Sequence, residues 1–247
     1  MALNIKILCK FVTQNTLIAS LKHITLKKIY LVLTVLLCLT AVSTFAQQKN
    51  QFVKIETEQG ACIVKLYNET PVHRDNFIKL VKSGYFNATT FNRILKGFVI
   101  QGGDPDSLYD KSKTLKPEQK WISPEFNPAL YHKRGALAMG RDDNKAKESF
   151  TTQIYIVDGK TYTNAQLDAI EKKNGIRIPE NEREVYRTIG GTPFLDQNYT
   201  VFGEIVKGTD LIDKITAVKV NADGNPDKPV WMKVKVLTPK EAAQAFK

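Results

Sequence analysis

One run of the sequence carries side chains suited to chemistry: Phe91-Asn92-Arg93-Ile94-Leu95-Lys96-Gly97-Phe98-Val99-Ile100-Gln101-Gly102-Gly103-Asp104. It sets a guanidinium among apolar neighbours, with the amide of Gln101 eight residues further on. A guanidinium offers several N–H donors and keeps its charge, so its chemistry is to hold and polarise an acceptor without moving a proton. Taken singly, an arginine in such company snorkels to solvent along its apolar stem. Gln101, as an acceptor, could instead fix it over an apolar pocket. Covalent and metal chemistry has little to stand on. Beyond residue 46 the histidines are His73 and His132, and neither has a second His or Cys at ligand spacing. No Gly-x-Ser-x-Gly elbow, Gly-Lys-Ser/Thr phosphate loop or dinucleotide fingerprint occurs. Gly102-Gly103 is a weak phosphate signal, and Asp104-Pro105-Asp106 reads as a surface turn.

The elements that must position Arg93 are short strands. Thr89–Ile94 and Phe98–Gln101 are two of them, and alternation of faces predicts that Arg93 shares the face of Phe91. Upstream, Phe52–Thr57 and Ala61–Tyr67 flank Gln59-Gly60 as a hairpin. Cys62, Val64 and Leu66 alternate on one face, which makes Cys62 a buried apolar residue. Thr70 and Pro71 open a helix as N-cap and first residue, with Phe77, Leu80 and Val81 at helical spacing and Gly84 at its end. Ala136–Met139, Gln153–Val157, Thr200–Ile205 and Val230–Leu237 read as further strands. Thr209 caps a second main helix carrying Leu211, Ile212 and Ile215. Many short strands with two helices predict a mainly β, closed antiparallel barrel that leaves no exposed edge. Residues 158–193 break the rhythm. The Thr163-x-x-Gln166 box, the Leu167 and Ile170 face and Gly175 mark one small helix, and a second follows Pro179 and stops at Gly190-Gly191. This insertion joins the strand of Tyr155 to Leu195, so it is expected beside any site built there.

The run from Phe91 to Asp104 resembles the signature of the cyclophilin-type peptidyl-prolyl cis/trans isomerases, Phe-x-Arg-x-x-x-x-Phe-x-x-Gln-Gly-Gly-Asp, at every fixed position. Met139, Gln153-Ile-Tyr155-Ile, Phe194-Leu195-Asp196 and Val201-Phe202-Gly203 extend the resemblance over most of residues 52–237. The resemblance implies an eight-stranded barrel and acceleration of X-Pro bond rotation in Pro-containing polypeptides, without a cofactor or metal. It implies Arg93 as transition-state donor, Gln101 as its orienting partner, and Phe98, Val99, Tyr155, Leu195 and Phe202 as the proline pocket. Gln153 is expected to contact the substrate backbone, Arg141 to offer backbone groups, and Tyr199 to border the site. The alternative it leaves open is a binding module of the same fold, a chaperone that holds Pro-containing segments with little turnover. Several positions depart from the family pattern. Asn92 replaces a common His, and Val99 a common Met. Phe194 and Tyr199 stand for Trp and His, which implies a bacterial-type site with weak cyclosporin binding. Phe150-Thr151-Thr152 replaces Gly-Ser, and the loop 141–149 is long and charged.

Composition sets the remaining bounds. Hydrophobic content of 43% and charged content of 25% are those of an ordinary globular chain. The net charge of +11 owes five lysines to residues 1–46, which hold no acid. The other basic residues are interleaved with acids, a pattern that argues against a nucleic-acid surface. Cys62 is the one cysteine beyond residue 46, so no internal disulfide can form there. Lys27-Lys28, the 14-residue uncharged run Ile29–Val42 and Thr44-Phe45-Ala46 have the order of a secretory signal peptide. The run is shorter than the roughly 20 residues of a spanning helix. We therefore expect a signal peptide over 1–46 and a monomeric, periplasmic domain over 47–247. An uncleaved segment would tether that domain to the membrane, and a translation start near Leu26 is a further alternative. Mass analysis of the exported chain is expected to find Gln47 as its first residue. Retention of residues 27–46 would identify an anchor instead.

Overall fold

The computed structural model of the chain describes residues 50–104, 110 and 120–246. The expected signal segment and residues 105 and 106 of the expected surface turn lie outside the described residues, whereas Asp104, read as part of that turn, is buried. The expected hairpin is formed by β1 (Gln51–Thr57) and β2 (Gly60–Leu66). Nine further strands follow: β3 (Thr90–Leu95), β4 (Val99–Gly102), β5 (Trp121–Ile122), β6 (Ala136–Met139), β7 (Ser149–Phe150), β8 (Ile154–Val157), β9 (Val201–Lys207), β10 (Val230–Trp231) and β11 (Lys233–Val236). Apart from the small β5–β7 pair they form one antiparallel sheet, in the order β10-β3-β4-β8-β6-β9-β2-β1-β11.

The two end strands of that order are one run of chain broken at Met232, whose N–H still donates to Thr89 O at 3.2 Å. A single bent strand thus pairs with β3 through one half and with β1 through the other. This joins the sheet's ends, so the nine segments are the eight strands of a barrel. Alternation along the strands sorts the side chains into two clusters. Cys62, Val64, Leu66, Ile100, Leu137, Met139, Ile154, Ile156 and Phe202 belong to the main core with Val53 and Ile55. Val99, Ala136, Ala138, Tyr155, Val157 and Val201 pack together on the other face. Each Val, Leu, Ile, Phe or Met side chain fully buried in this way contributes roughly 1.5–3 kcal/mol. Burial also pushes the Cys62 thiol up to about 12, which leaves it an inert apolar group.

Helix α1 (Pro71–Lys82) adds Phe77 and Val81 to the main core. Thr70 stands at its N-cap, but its hydroxyl makes no capping bond. The first N–H groups go instead to a remote carboxylate: Glu125 accepts from Val72 N at 3.0 Å and His73 N at 2.9 Å. The insertion forms α2 (Asn164–Asn174), opened by the expected Thr163/Gln166 capping box, and α3 (Glu180–Thr188). Tyr162, Leu167, Ile178 and Tyr186 give the insertion a small core of its own. Helix α4 (Asp210–Thr216) adds Leu211, Ile212 and Ile215 to the main core. Thr209 precedes α4 in a helical rather than extended conformation, so its side chain does not cap as expected. A last helix, α5 (Pro239–Ala245), is opened by a Thr238/Glu241 capping box that sequence reading passed over.

One group in the insertion works against neutral-pH stability. Glu182, on the first turn of α3, is 7% exposed. Burial, and then the charge of Asp196, pushes its carboxyl up from the ordinary 4.5 to about 7. A raised folded-state value means the proton is held more tightly in the folded chain. Its stabilisation is complete below about 4.5 and is lost as pH rises through about 7. Glu182→Gln, which keeps the neutral shape, is expected to raise the melting midpoint at pH 8 by roughly 2–4 °C over the native chain. The gain should vanish at pH 4, and thermal melts at the two pH values check both signs.

Candidate active site

Strand β3 does not run evenly against β4. Phe91 is paired with Gly102 and Arg93 with Gln101, so Asn92 is an extra residue, a β-bulge. Simple alternation predicts one face for Phe91 and Arg93, and the bulge separates them. Phe91 and Ile94 are in the main core, whereas Arg93 is half-buried on the other face, opposite Gln101. The bulge needs a glycine across from it. A Cβ on Gly102 would stand 2.2 Å from Thr90 O and 2.8 Å from Phe91 Cα.

Arg93 borders a cleft of about 400 Å³ on this face. Its Nη1 donates to Gln101 Oε1 at 3.3 Å. Phe98, Val99, Tyr155, Leu195 and Tyr199 make an apolar cup beside it, and Gln153 and Arg141 also line the cleft. Phe98 is extended outward by the exposed ring of Phe194, stacked at 5.7 Å. Tyr199 meets Tyr155 edge-on at 6.0 Å and lies 4.7 Å beneath the Arg141 guanidinium. That guanidinium is committed to the wall, donating through Nε to Asn198 O and through Nη2 to Asn198 Oδ1, both at 2.8 Å. Asn92, displaced by the bulge, donates to the buried Asp104 carboxylate at 3.2 Å, and Gln153 Nε2 lies 3.5 Å from the same carboxylate.

Nine of the ten residues expected at a site therefore share one cleft. Phe202 does not. It is fully buried in the main core, 5.3 Å from Phe77, because β9 directs it inward beside Val201, which faces out. Sequence reading missed Gly140, Asp142 and Phe150, which also line the cleft. Gly140 could have been inferred from its place between Met139 and Arg141. Phe150 sits on a two-residue strand with no periodicity, held by a 4.8 Å stack on Trp121. The charged loop between Arg141 and Ser149 is closed on itself: Asn144 donates to Glu148 O at 2.9 Å and accepts from Glu148 N at 2.8 Å.

Burial pushes the Tyr155 phenol well above the usual range, so it stays protonated. His73 is distant from Arg93 in role as well as in sequence. It is buried between Glu125 and Ser149, and burial lowers its affinity for a proton against the opposing pull of Glu125. The arrangement can orient a fixed positive donor beside an apolar cup that also holds the Gln153 amide.

Comparison with known proteins gives one answer. Residues 52–236 match the family model described as cyclophilin type peptidyl-prolyl cis-trans isomerase/CLD. A relative from Staphylococcus saprophyticus, named as a candidate peptidyl-prolyl cis-trans isomerase, is 31% identical over 177 residues, 71% of this chain and 84% of its own. A relative of the same description from Staphylococcus aureus is 31% identical over 185 residues, 74% of this chain and 88% of its own. Among solved structures, a cyclophilin-type isomerase from Cryptosporidium parvum has the same fold, with a TM-score of 0.58 and 23% identity over 77% of this chain and 99% of its own. That protein has also been crystallised in the presence of the dipeptide Ala-Pro.

Gly140 offers a test of the rim. A Cβ there would stand 2.0 Å from Gln153 Oε1 and 2.9 Å from Gln153 Cγ. The clash is with a flexible side chain, so Gly140→Ala is expected to fold and to displace the Gln153 amide from the cleft. The shift should appear in the side-chain NH2 resonances of Gln153, and unchanged resonances would disprove this packing.

Proposed function

The chain belongs to the cyclophilin-type peptidyl-prolyl cis/trans isomerase family, and from that premise we propose that the cleft turns X-Pro bonds in exported polypeptides, with Arg93 as its central catalytic residue. Peptidyl-prolyl isomerisation is the activity of the chain; the mechanism, the clients and the compartment are our reading. The observation that carries the mechanism is the Arg93 guanidinium, turned out of the barrel by the bulge and held by Gln101 at the edge of an apolar cup.

The reaction breaks no bond. Rotation about an X-Pro amide meets a barrier of about 20 kcal/mol and takes roughly 10–100 s unaided. The barrier comes from amide resonance. As the bond twists, the nitrogen lone pair localises and becomes an acceptor. A guanidinium N–H aimed at that nitrogen gains a hydrogen bond that the planar ground state does not offer, and each 1.4 kcal/mol of such selective stabilisation gives about tenfold in rate. Gln101 occupies one Nη1 position, and among the described residues it is the partner recorded for Arg93, so donors remain for the substrate. Phe98, Val99, Leu195 and Tyr155 would hold the proline ring while the preceding carbonyl turns. Gly140 and Gln153 would fix the substrate backbone. A solved relative crystallised with Ala-Pro supports a Pro-containing substrate. The charged, apolar and small-residue order of residues 27–46 supports export and hence exported clients.

Protease-coupled conversion of a short X-Pro peptide tests the proposal. The native chain is expected to accelerate it, and Arg93→Ala should lower kcat/KM by about 10- to 100-fold, the worth of a hydrogen bond from a charged donor. A folded native chain without acceleration would leave the binding-module reading. An active Arg93→Ala variant would remove Arg93 from the mechanism.

A further inference from the structure

The floor of the cleft is tied to the insertion by a continuous buried chain of hydrogen bonds. Tyr155 lines the cup, and its hydroxyl lies 2.9 Å from Nε2 of His132, which does not line the cleft. His132 Nδ1 lies 2.7 Å from Asp196 Oδ1, which also accepts the His132 backbone N–H at 2.9 Å. The second Asp196 oxygen accepts from the Tyr186 hydroxyl at 2.6 Å. Tyr186 stands on α3, inside the small core of the insertion, and is fully buried, as is His132. In the tautomer that donates from Nδ1 to the carboxylate, the His132 ring presents a lone pair at Nε2 to the Tyr155 O–H. The side-chain polar atoms of Tyr155, His132, Asp196 and Tyr186 thus all have partners.

The chain ends on cleft residues at both branches. Asp196 follows Leu195, a wall of the cup, and closes the short turn Pro193–Leu195. The same turn is gripped by α2, where Asn174 Nδ2 donates to Phe194 O at 3.1 Å. None of residues 158–193 lines the cleft itself among the described residues. A phenylalanine at 155 would supply the same apolar surface to the cup. The hydroxyl adds a fixed tilt, set by a bond made on the side away from the cleft.

We propose that Tyr186, Asp196 and His132 are positioning residues for X-Pro turnover, which hold the Tyr155 ring and the Leu195 turn in place so that the insertion shapes the proline cup from behind. The inference rests on the isomerase reading of the cleft. Insertion and floor are then coupled through one path, and removing either end of that path has the same effect on the cup.

The test is a double-mutant cycle in the full chain with Tyr155→Phe, Tyr186→Phe and the pair, each change deleting one hydroxyl and no packing volume. KM and kcat are read on several X-Pro peptides, with thermal melts alongside. Tyr186→Phe, which touches no cleft residue directly, is expected to raise KM about three- to tenfold, the range of one neutral hydrogen bond, and to alter the ranking of the peptides. Tyr155→Phe should do the same, and the double variant should match either single rather than their product. A Tyr186→Phe chain that melts earlier with unchanged KM would reduce the network to a structural role, and multiplying effects would break the path. Should the native chain bind the peptides without turning them over, the isomerase reading fails, and the same cycle read in Kd still decides the coupling.

Discussion

Between Phe91 and Arg93 the ladder of β3 on β4 skips one residue, and the direction of the Arg93 guanidinium follows from that skip. In an even ladder Arg93 would share the face of Phe91 and enter the main core. There a lone guanidinium would lose its hydration without a partner, at a cost of roughly several kcal/mol. The bulge keeps Phe91 and Ile94 inside, at 0% and 1% exposure, and delivers Arg93 to the opposite face. Its condition is the contact with Gly102, where even a methyl group would strike Thr90 O and Phe91 Cα. Gly103 is equally confined, with a positive φ of 77° and Phe86 and Thr152 O both 2.7 Å from any Cβ. The glycine pair of the motif thus serves the arginine nine and ten residues earlier, as the surface that the bulge packs upon.

What could be read from the sequence divides along the range of the forces involved. Local signals carried far: the hairpin, the Thr163 capping box and the alternation of Cys62, Val64 and Leu66 each depend on neighbours within a few residues. The cleft members Phe98, Val99, Gln101, Gln153, Tyr155 and Leu195 came from motif spacing, which stores the result of folding without explaining it. The face of Arg93 did not, because a bulge defeats period-two counting at the residue where it occurs. Phe202 was misplaced for the same kind of reason: its motif marks an aromatic without saying to which side of the sheet it points. The cap of α1 was invisible because its carboxylate, Glu125, comes from 52 residues away or more. Met232 gave no sign that one strand would serve both ends of the sheet.

The two faces of the sheet meet different demands. The main core is closed by large apolar side chains from all nine strands of the large sheet and from α1 and α4, and its role is to keep the ladder rigid. The outer face carries smaller residues, Ala136 and Ala138, beside the aromatic Tyr155. That leaves a hollow rather than a filled surface. Its polar backing is fully satisfied: Asp196 alone accepts from a backbone N–H, an imidazole and a phenol. Such a network adds rigidity where a partly satisfied one would add cost.

Rigidity on an outward face suits the reaction proposed for it. Catalysis of a rotation requires that one side of the bond be held while the other turns, so a yielding cup would follow the substrate and lose the advantage. The lumen of a small barrel is filled by side chains and could admit nothing. A cleft on the outer face can take an X-Pro unit in the middle of a long chain without threading either terminus through the barrel. Phe98 and Phe194 continue the apolar wall beyond the cup, and Gly140 and Gln153 continue the polar rim. A polypeptide laid across the site would therefore meet both apolar surface and hydrogen-bonding groups, as binding an X-Pro unit within a longer backbone requires.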